Sequence, residues 1–327
     1  MDLNFSNSNF LVSSGFTKPS SEKLYDVIIV GGGPAGFTAA LYCLRKGISV
    51  AVIAKDFGGK VTDTHLIENF TGILSVSGNE FANTLKKQLL QFPLEMENDS
   101  SVVSISISEK NKIVELNDGR ILKTKSIIIA TGTVNRRLGI SGEAEFSGNG
   151  VSYCAICDAP FFKNKKVIVV GGGNSAADAV NDLAKIAEHV TLVHYRDKLR
   201  ADKVLVDKIK GYSNLAFLFN HRLVQINGKN NVEEVLVENI ETGNKSEIKT
   251  DGIFIEIGLI PNTDFLSRFL ELNSAKEIIV DAHAQTSVQG IFAAGDVTNV
   301  PFKQIVIAAG EGAKAALSAC EYISKLN

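Results

Sequence analysis

The 327-residue sequence is narrowed first by what it lacks. It contains no run of eighteen apolar residues, so no membrane-spanning helix is expected. It has almost no charge imbalance: 34 Lys+Arg against 36 Asp+Glu leave a net charge of −2. With no basic block either, there is no electrostatic footprint for nucleic acid. Four cysteines, with Cys43 and Cys320 isolated, are too few and too scattered for a secreted disulfide framework. A reducing, cytoplasmic setting is expected instead. The first 24 residues hold no basic segment followed by an apolar core, so no signal peptide is expected there, and no arginine, which argues against a transit peptide. They read as a mobile tail. Phe5, Phe10 and Phe16 leave room for an arm packed on the body or on a partner subunit.

What is present is 45% hydrophobic and 21% charged, an ordinary globular composition at a length suited to two domains. Its centre is Cys154-Ala-Ile-Cys157-Asp158, just ahead of Val167-Ile-Val-Val-Gly-Gly-Gly173. Two cysteines at this spacing can close a small disulfide ring and exchange with other disulfides. A CxxC is also half of a zinc site, but zinc needs four ligands and no histidine lies close to the pair in sequence, so no metal is expected. A buried, inert pair is the remaining alternative.

Asp26–Val30 is a buried-type strand leading into Gly31-Gly-Gly33-Pro34-Ala35-Gly36, and Ala39–Arg45 reads as a helix. A glycine motif between strand and helix is the setting for a dinucleotide. Gly31 permits the turn, Gly33 admits the pyrophosphate and Gly36 lets helix and strand close up. A second strand covers Ile48–Ala54, and Asp56 follows at the usual distance for a ribose-binding acid. Cys43, on the helix, reads as core packing, and so does Cys320 on a final helix over Ile305–Ile323. Ser101–Ile129 alternates around a turn at Asp118-Gly119, an antiparallel meander that ends in Ala130-Thr131-Gly132. The unit then repeats: Val27–Gly33 matches Val167–Gly173, Val190–His194 is its second strand, and Leu215–Glu256 alternates with turns at Asn227-Gly228 and Thr242-Gly243. The fold class is therefore α/β, with two duplicated Rossmann-like domains and two dinucleotides. A flavin would mediate between a two-electron nicotinamide and a disulfide.

These motifs resemble the low-molecular-weight thioredoxin reductases, FAD-dependent pyridine nucleotide-disulfide oxidoreductases whose NADPH domain is inserted in the FAD domain. The resemblance runs from about residue 25 to the C-terminus. It rests on GGGPAG at 31–36, ENFTG at 68–72, ATG at 130–132, CAICD at 154–158, GGGNSA at 171–176, HYRDKLRA at 194–201, IGLIPNT at 257–263 and GIFAAGDV at 290–297. It implies an extension over 1–24, an FAD domain over 25–136 and 255–327, and an NAD(P)H domain carrying the CxxC over 137–254. FAD would meet Gly31, Gly33, Pro34, Ala35, Gly36, Asp56, Gly59, Lys60, Asn69, Ala130, Thr131, Gly132, Gly295, Asp296, Lys303, Gln304 and Ile305. NADPH would meet Gly171, Gly173, Asn174, Ser175, Ala176, His194, Arg196, Arg200, Ile257 and Gly258. The catalytic set would be Cys157 facing the flavin, Cys154 attacking thioredoxin, and Asp158 handling protons. A homodimer, and hinges near Gly132–Arg136 and Ile255–Pro261, are implied in the same way.

The departures are Tyr195 for an arginine, Lys60 for a glutamine, Phe302-Lys303 for Tyr-Arg, and Ala159-Pro160 where a glycine is common. The first bears on coenzyme choice and leaves NADH as the alternative; Lys60 and Lys303 bear on the flavin. The expected function is reduction of thioredoxin or a thioredoxin-like protein by NADPH through FAD and the Cys154/Cys157 pair. Alternatives are the same chemistry with a glutaredoxin-like or peroxidase partner, a ferredoxin-driven enzyme, and a flavin-bound sensor. The intact second glycine motif argues against ferredoxin, and steady coenzyme consumption with a disulfide acceptor separates an enzyme from a sensor.

Overall fold

The computed structural model describes residues 16–326 apart from 65, 109, 110, 267 and 268. The chain divides into two compact units, one running to Val134 and resuming at Ile260, the other Asn135–Leu259.

In the first unit, β1 (Leu24–Val30) leads through the glycine turn into α1 (Pro34–Arg45) and β2 (Val50–Ile53), which lies parallel to β1 with Val27 opposite Val50. The helix starts five residues earlier than the expected Ala39, because Pro34 occupies its first position with φ already set for a helix. Next comes α2 (Gly78–Leu89), entered through a capping box in which Ser77 and Glu80 exchange hydrogen bonds. β3 (Glu95–Glu97) then pairs with β2. The meander is β4 (Val102–Ser108), β5 (Asn111–Leu116) and β6 (Ile121–Ile129), with Gly119 at φ +85° in the turn. β6 shows why its sequence changes character. Its first half, against β5, alternates exposed and buried residues, whereas Ser126–Ile129 is covered on both faces and ends in the apolar run Ile127–Ile129.

The chain crosses to the second unit through β7 (Thr133–Asn135). There follow β8 (Val151–Ser152), α3 (Ala155–Asp158), β9 (Lys166–Val170), α4 (Asn174–Leu183), β10 (His189–His194), α5 (Lys203–Ile209) and β11 (Leu215–Phe219). An antiparallel flap of β12 (His221–Gly228), β13 (Val232–Asn239) and β14 (Lys245–Lys249) precedes β15 (Gly252–Ile255). The parallel sheet runs β11-β10-β9-β15-β8. The turn expected at Asn227-Gly228 is corrected: Gly228 belongs to β12, and the reversal falls at Lys229–Asn231. This glycine is needed for a close approach, since a Cβ there would sit 1.9 Å from the Asn231 carbonyl oxygen.

The return is β16 (Leu259–Pro261), which pairs with β7, and then β17 (Ile291–Ala293), which lies parallel on β6. The last element is α6 (Ile305–Ser324). It packs on α1 through small residues; a Cβ on Gly312 would sit 2.1 Å from the Ala35 carbonyl oxygen.

Residues 16–24, expected to be mobile, are instead fixed to the β3 edge. The Met96 amide donates to the Thr17 carbonyl at 2.8 Å, Lys18 pairs with Glu97 at 3.0 Å, and Tyr25 bonds to Glu95. Phe16 stacks on Phe57 with centroids 6.3 Å apart. Phe5 and Phe10 lie outside the described residues.

Candidate active site

Cys154 and Cys157 are joined as a disulfide with their Cα atoms 5.3 Å apart. Both are half-buried, with Ile156 exposed between them, which sets them apart from an inert buried pair. Cys154 is the N-cap of α3, whose single turn is built by Cys157 and Asp158 amides donating to the Cys154 carbonyl at 3.2 and 3.1 Å. Ser152, buried on β8, holds both sides of the pair. Its hydroxyl donates to Asp158 Oδ2 at 2.6 Å and accepts from the Cys154 amide at 3.1 Å. Glu256 adds a second brace by accepting the Ala155 amide at 3.2 Å. The sequence reading missed Ser152 and Glu256. The signal for Ser152 was a hydroxyl two residues before the first cysteine; Glu256 lies about a hundred residues away in the chain and gave none.

Glu256 also underlies the nucleotide turn of the same unit. A Cβ on Gly171 would meet the Glu256 carbonyl oxygen at 2.3 Å, so the turn rests on that backbone. Gly173, the N-cap of α4, has open space where its side chain would be. Among the described residues no side chain caps α4, and its first turn holds no acid. Its orphan amides therefore suit a pyrophosphate. Asn174 is exposed and zipped to Asp202 by two bonds of 2.9 and 2.8 Å; Ser175 is exposed and Ala176 fully buried. His194 is placed underneath the turn, not on its surface. It is 2% exposed, and a Cβ on Gly172 would strike its ring. Burial, then the positive charges of Arg200 and Arg196, hold its pKa down; Asp197 and the Lys198 backbone pull less strongly the other way. Arg196 and Arg200 are exposed, and Arg196 Nε donates to the Tyr195 hydroxyl at 3.0 Å. Ile257 packs on the core of this unit, and Gly258, at φ +103°, accepts the Arg136 amide at 3.0 Å.

The first unit carries the matching turn. Gly31 is at φ +122°, and a Cβ there would lie 2.1 Å from the Ala130 carbonyl oxygen. At Gly33 the nearest atom to such a Cβ is the Gly58 carbonyl oxygen at 3.7 Å, so the approach to the start of α1 is clear. Among the described residues no side chain caps α1, and Pro34 opens it without an acid in the first turn. Gly59 closes against Gly33, Gly295 against Ala35, and Gly132 faces open space. Asp56 is exposed; what reaches the turn is its backbone oxygen, beside Gly32. A polar cluster is formed by Lys60, 3.3 Å from Thr133 Oγ1 and 3.9 Å from Asp296. Burial pushes the Asp296 carboxyl above the usual range, while Lys60, Lys303 and Thr133 draw it back. Thr131 is tied to the Asn262 backbone, and Asn69 donates to Gln304 at 3.2 Å. Gln304 is the N-cap of α6 and Ile305 its first residue. The Lys303 ammonium is taken up by the Thr298 and Val300 carbonyls and by Glu277 at 2.9 Å. Two uncapped helix starts above unobstructed glycines fit two dinucleotide pyrophosphates.

Among the described residues no helix is long and apolar enough to cross a membrane, and no group of three or more His, Cys, Asp or Glu could hold a metal ion.

Comparison with known proteins agrees with this arrangement. Residues 25–312 match the family described as pyridine nucleotide-disulphide oxidoreductase. The alkyl hydroperoxide reductase of Staphylococcus aureus includes one component that is 42% identical over 96% of this chain, which spans 63% of that component's length. Among solved structures, thioredoxin reductase from Streptococcus pyogenes superposes with a TM-score of 0.88 at 38% identity, covering 92% of this chain and 99% of that one. Thioredoxin reductase from Giardia duodenalis gives 0.87 at 32% identity with the same coverage. With a family match over most of its length and relatives of this identity, the chain belongs to the pyridine nucleotide-disulphide oxidoreductases.

Proposed function

We propose that this chain is an NADPH-dependent thioredoxin-disulfide reductase. The observation that carries the reading is the braced Cys154–Cys157 disulfide, half-exposed and on the same unit as a nucleotide turn that shares Glu256 with it. The first unit would hold FAD on Gly31–Gly36, Ala130–Gly132 and Gly295–Ile305. The second would hold NADPH on Gly171–Ala176, with Arg196 and Arg200 toward the 2′-phosphate. A flavin held there would supply two-electron transfer between a nicotinamide and a disulfide.

The protein's own residues do the rest. Ser152 fixes one oxygen of Asp158, leaving the carboxylate oriented to exchange a proton with a thiol of the pair. Cys154, at the head of α3, is the thiol that attacks the partner's disulfide, and Cys157 closes the ring that releases the reduced partner. Thioredoxin or a thioredoxin-like protein is the acceptor, the protein works as a homodimer, and its place is the cytoplasm. A second reading keeps the chemistry and changes the acceptor to a peroxidase system. The name of the Staphylococcus aureus relative favours it, and this chain spans only part of that relative.

The test is NADPH oxidation with oxidised thioredoxin as acceptor. Turnover should be steady in wild type and lost in Cys154→Ser and Cys157→Ser. The Cys157→Ser variant, offered an activated thioredoxin lacking its resolving cysteine, should accumulate the mixed disulfide on a non-reducing gel. Preferential trapping by Cys154→Ser reverses the two roles. Coenzyme oxidation that ignores every disulfide and survives both substitutions overturns the reading. Turnover with a peroxidase partner but not with thioredoxin selects the second acceptor.

A further inference from the structure

Two thiols that this route does not use come together in the first unit. Cys43 lies near the end of α1 and is completely buried. Cys320 lies near the end of α6, half-buried and packed against the cluster that contains Cys43. Their meeting follows from how the helices pack. The Gly312–Ala35 approach brings the two backbones together at one level. Cys43 is eight residues beyond Ala35, and Cys320 is eight beyond Gly312. Contact at both levels means the helices run parallel, and the same rise of about 12 Å carries each chain from the first contact to the second. Ala39 and Ala40 on one helix and Ala315, Ala316 and Ala319 on the other are all buried in the cluster these helices share. A disulfide spans a Cα separation of about 4.4–6.8 Å, and helices seated this closely at Gly312 and Ala35 favour such a separation further along.

The two thiols are also unlike each other. The neighbouring thiol holds Cys320 below the usual thiol range, against burial and Asp26, while the same neighbour and burial hold Cys43 above it. Lys46 adds positive charge beside Cys320. Cys320 and Lys46 both line an open cavity of about 460 Å³, whereas Cys43 does not line it and is completely buried. A half-buried thiol lining an open cavity beside a second, buried thiol is the arrangement of an oxidisable pair.

We propose that Cys320 and Cys43 form a second redox pair, in which Cys320 reacts with a hydroperoxide entering the open cavity and Cys43 closes a disulfide between α1 and α6. The Cys320 thiolate attacks one peroxide oxygen, the O–O bond breaks, and the leaving oxygen takes a proton to depart as alcohol or water. Cys320 is then a sulfenic acid. The Cys43 sulfur attacks it, the S–O bond breaks, and the hydroxide leaves with the Cys43 proton as water. In sum, two thiols and one hydroperoxide give one disulfide, one alcohol and one water; the pair loses two electrons and the peroxide gains them.

Hydrogen peroxide is the probe, and the whole oxidised protein is the sample. With Cys154 and Cys157 already joined, it carries two free thiols. Titration after denaturation should find two per chain before treatment and none after it. A peptide map should show Cys43 joined to Cys320 within one chain. The Cys43→Ser variant should hold Cys320 as a sulfenic acid trapped by dimedone, and the Cys320→Ser variant should keep Cys43 as a free thiol. Two thiols persisting in wild type, or oxygen added to either cysteine without the cross-link, would overturn the proposal. The wild-type map decides this even where a variant folds poorly.

Discussion

The two glycine turns are copies that have kept one thing and changed another. In both, the second glycine's carbonyl is caught by an amide from the loop after the second strand: Gly58 to Gly32 at 2.9 Å, Arg200 to Gly172 at 2.7 Å. In both, the third glycine leaves the start of the helix clear. The floor beneath the turn differs. Under Gly32 it is Ala54 and the Asp56 backbone, and under Gly172 it is the His194 ring. The helix seat differs too. Gly36 has no room for a methyl group, because a Cβ would lie 2.0 Å from the Gly31 carbonyl oxygen, while its counterpart is Ala176. The part of the turn that would seat a phosphate is thus held constant, and the floor beneath it diverges. One copy ends in a neutral floor and an exposed acid; the other ends in a buried imidazole flanked by arginines.

The largest effect should come from exchanging the helix seats. Gly36→Ala drives a methyl group into backbone that cannot move aside, an overpacking cost on the order of 3 kcal/mol. The protein should lose its flavin absorbance and melt at lower temperature. Ala176→Gly only removes a methyl group near a helix start, a change of about 1 kcal/mol or less. It should leave flavin absorbance and coenzyme binding close to wild type. Equal flavin occupancy in Gly36→Ala and wild type would mean that the first turn is not the tighter of the two.

A smaller effect lies on the ribose side. Tyr195 stands where the family pattern has an arginine, and its hydroxyl accepts Arg196 Nε at 3.0 Å with the guanidinium 5.2 Å from the ring centroid. Tyr195 therefore both withholds a charge and steers a neighbour that carries one. A hydrogen bond to a charged group is worth roughly 1.5–3 kcal/mol, about ten- to a hundredfold in affinity. NADPH should still be preferred over NADH, by a narrowed margin, and Tyr195→Arg should widen it by about tenfold or more in kcat/KM. Tenfold better efficiency with NADH in the wild type would instead show that Arg196 and Arg200 do not read a 2′-phosphate.

What the sequence disclosed tracks how local each feature is. The parallel strands, both turns and the CxxC are each written within a few adjacent residues, and the duplication repeats them in order. Asp56 was found by counting, yet its backbone, not its side chain, reaches the turn. Gly228 looked like a turn because glycine permits one, and the close approach of Asn231 that actually requires it depends on strand pairing. Glu256 braces the redox pair from just past β15, about a hundred residues along the chain. Cys43 and Cys320, each read as packing, meet only because α1 and α6 run side by side. Contacts between distant segments carry no mark in a single sequence.

The smallest expected effect tests the floor of the second turn. His194 is buried, and the charges of Arg200 and Arg196 add to burial in opposing its protonation, with Asp197 and the Lys198 backbone opposing them less strongly. Its folded pKa is therefore below the ordinary 6.5. Well above that value the ring is neutral in both folded and unfolded chains, so it adds no pH dependence. As pH falls through about 6.5, the unfolded chain takes up a proton that the folded one resists, and stability is lost toward acid. His194→Leu removes the titrating group and keeps an apolar floor beneath Gly172. Urea unfolding of both proteins at about pH 7.5 and about pH 5.5 gives the comparison. The wild type should lose more stability than the variant between the two, because only it carries this proton. The first turn has no histidine under Gly32, so an Ala54→Gly variant should keep the wild-type pH dependence. If the wild type and His194→Leu lose equal stability on acidification, His194 takes up its proton in the folded state, and the buried floor assigned to the second turn is wrong.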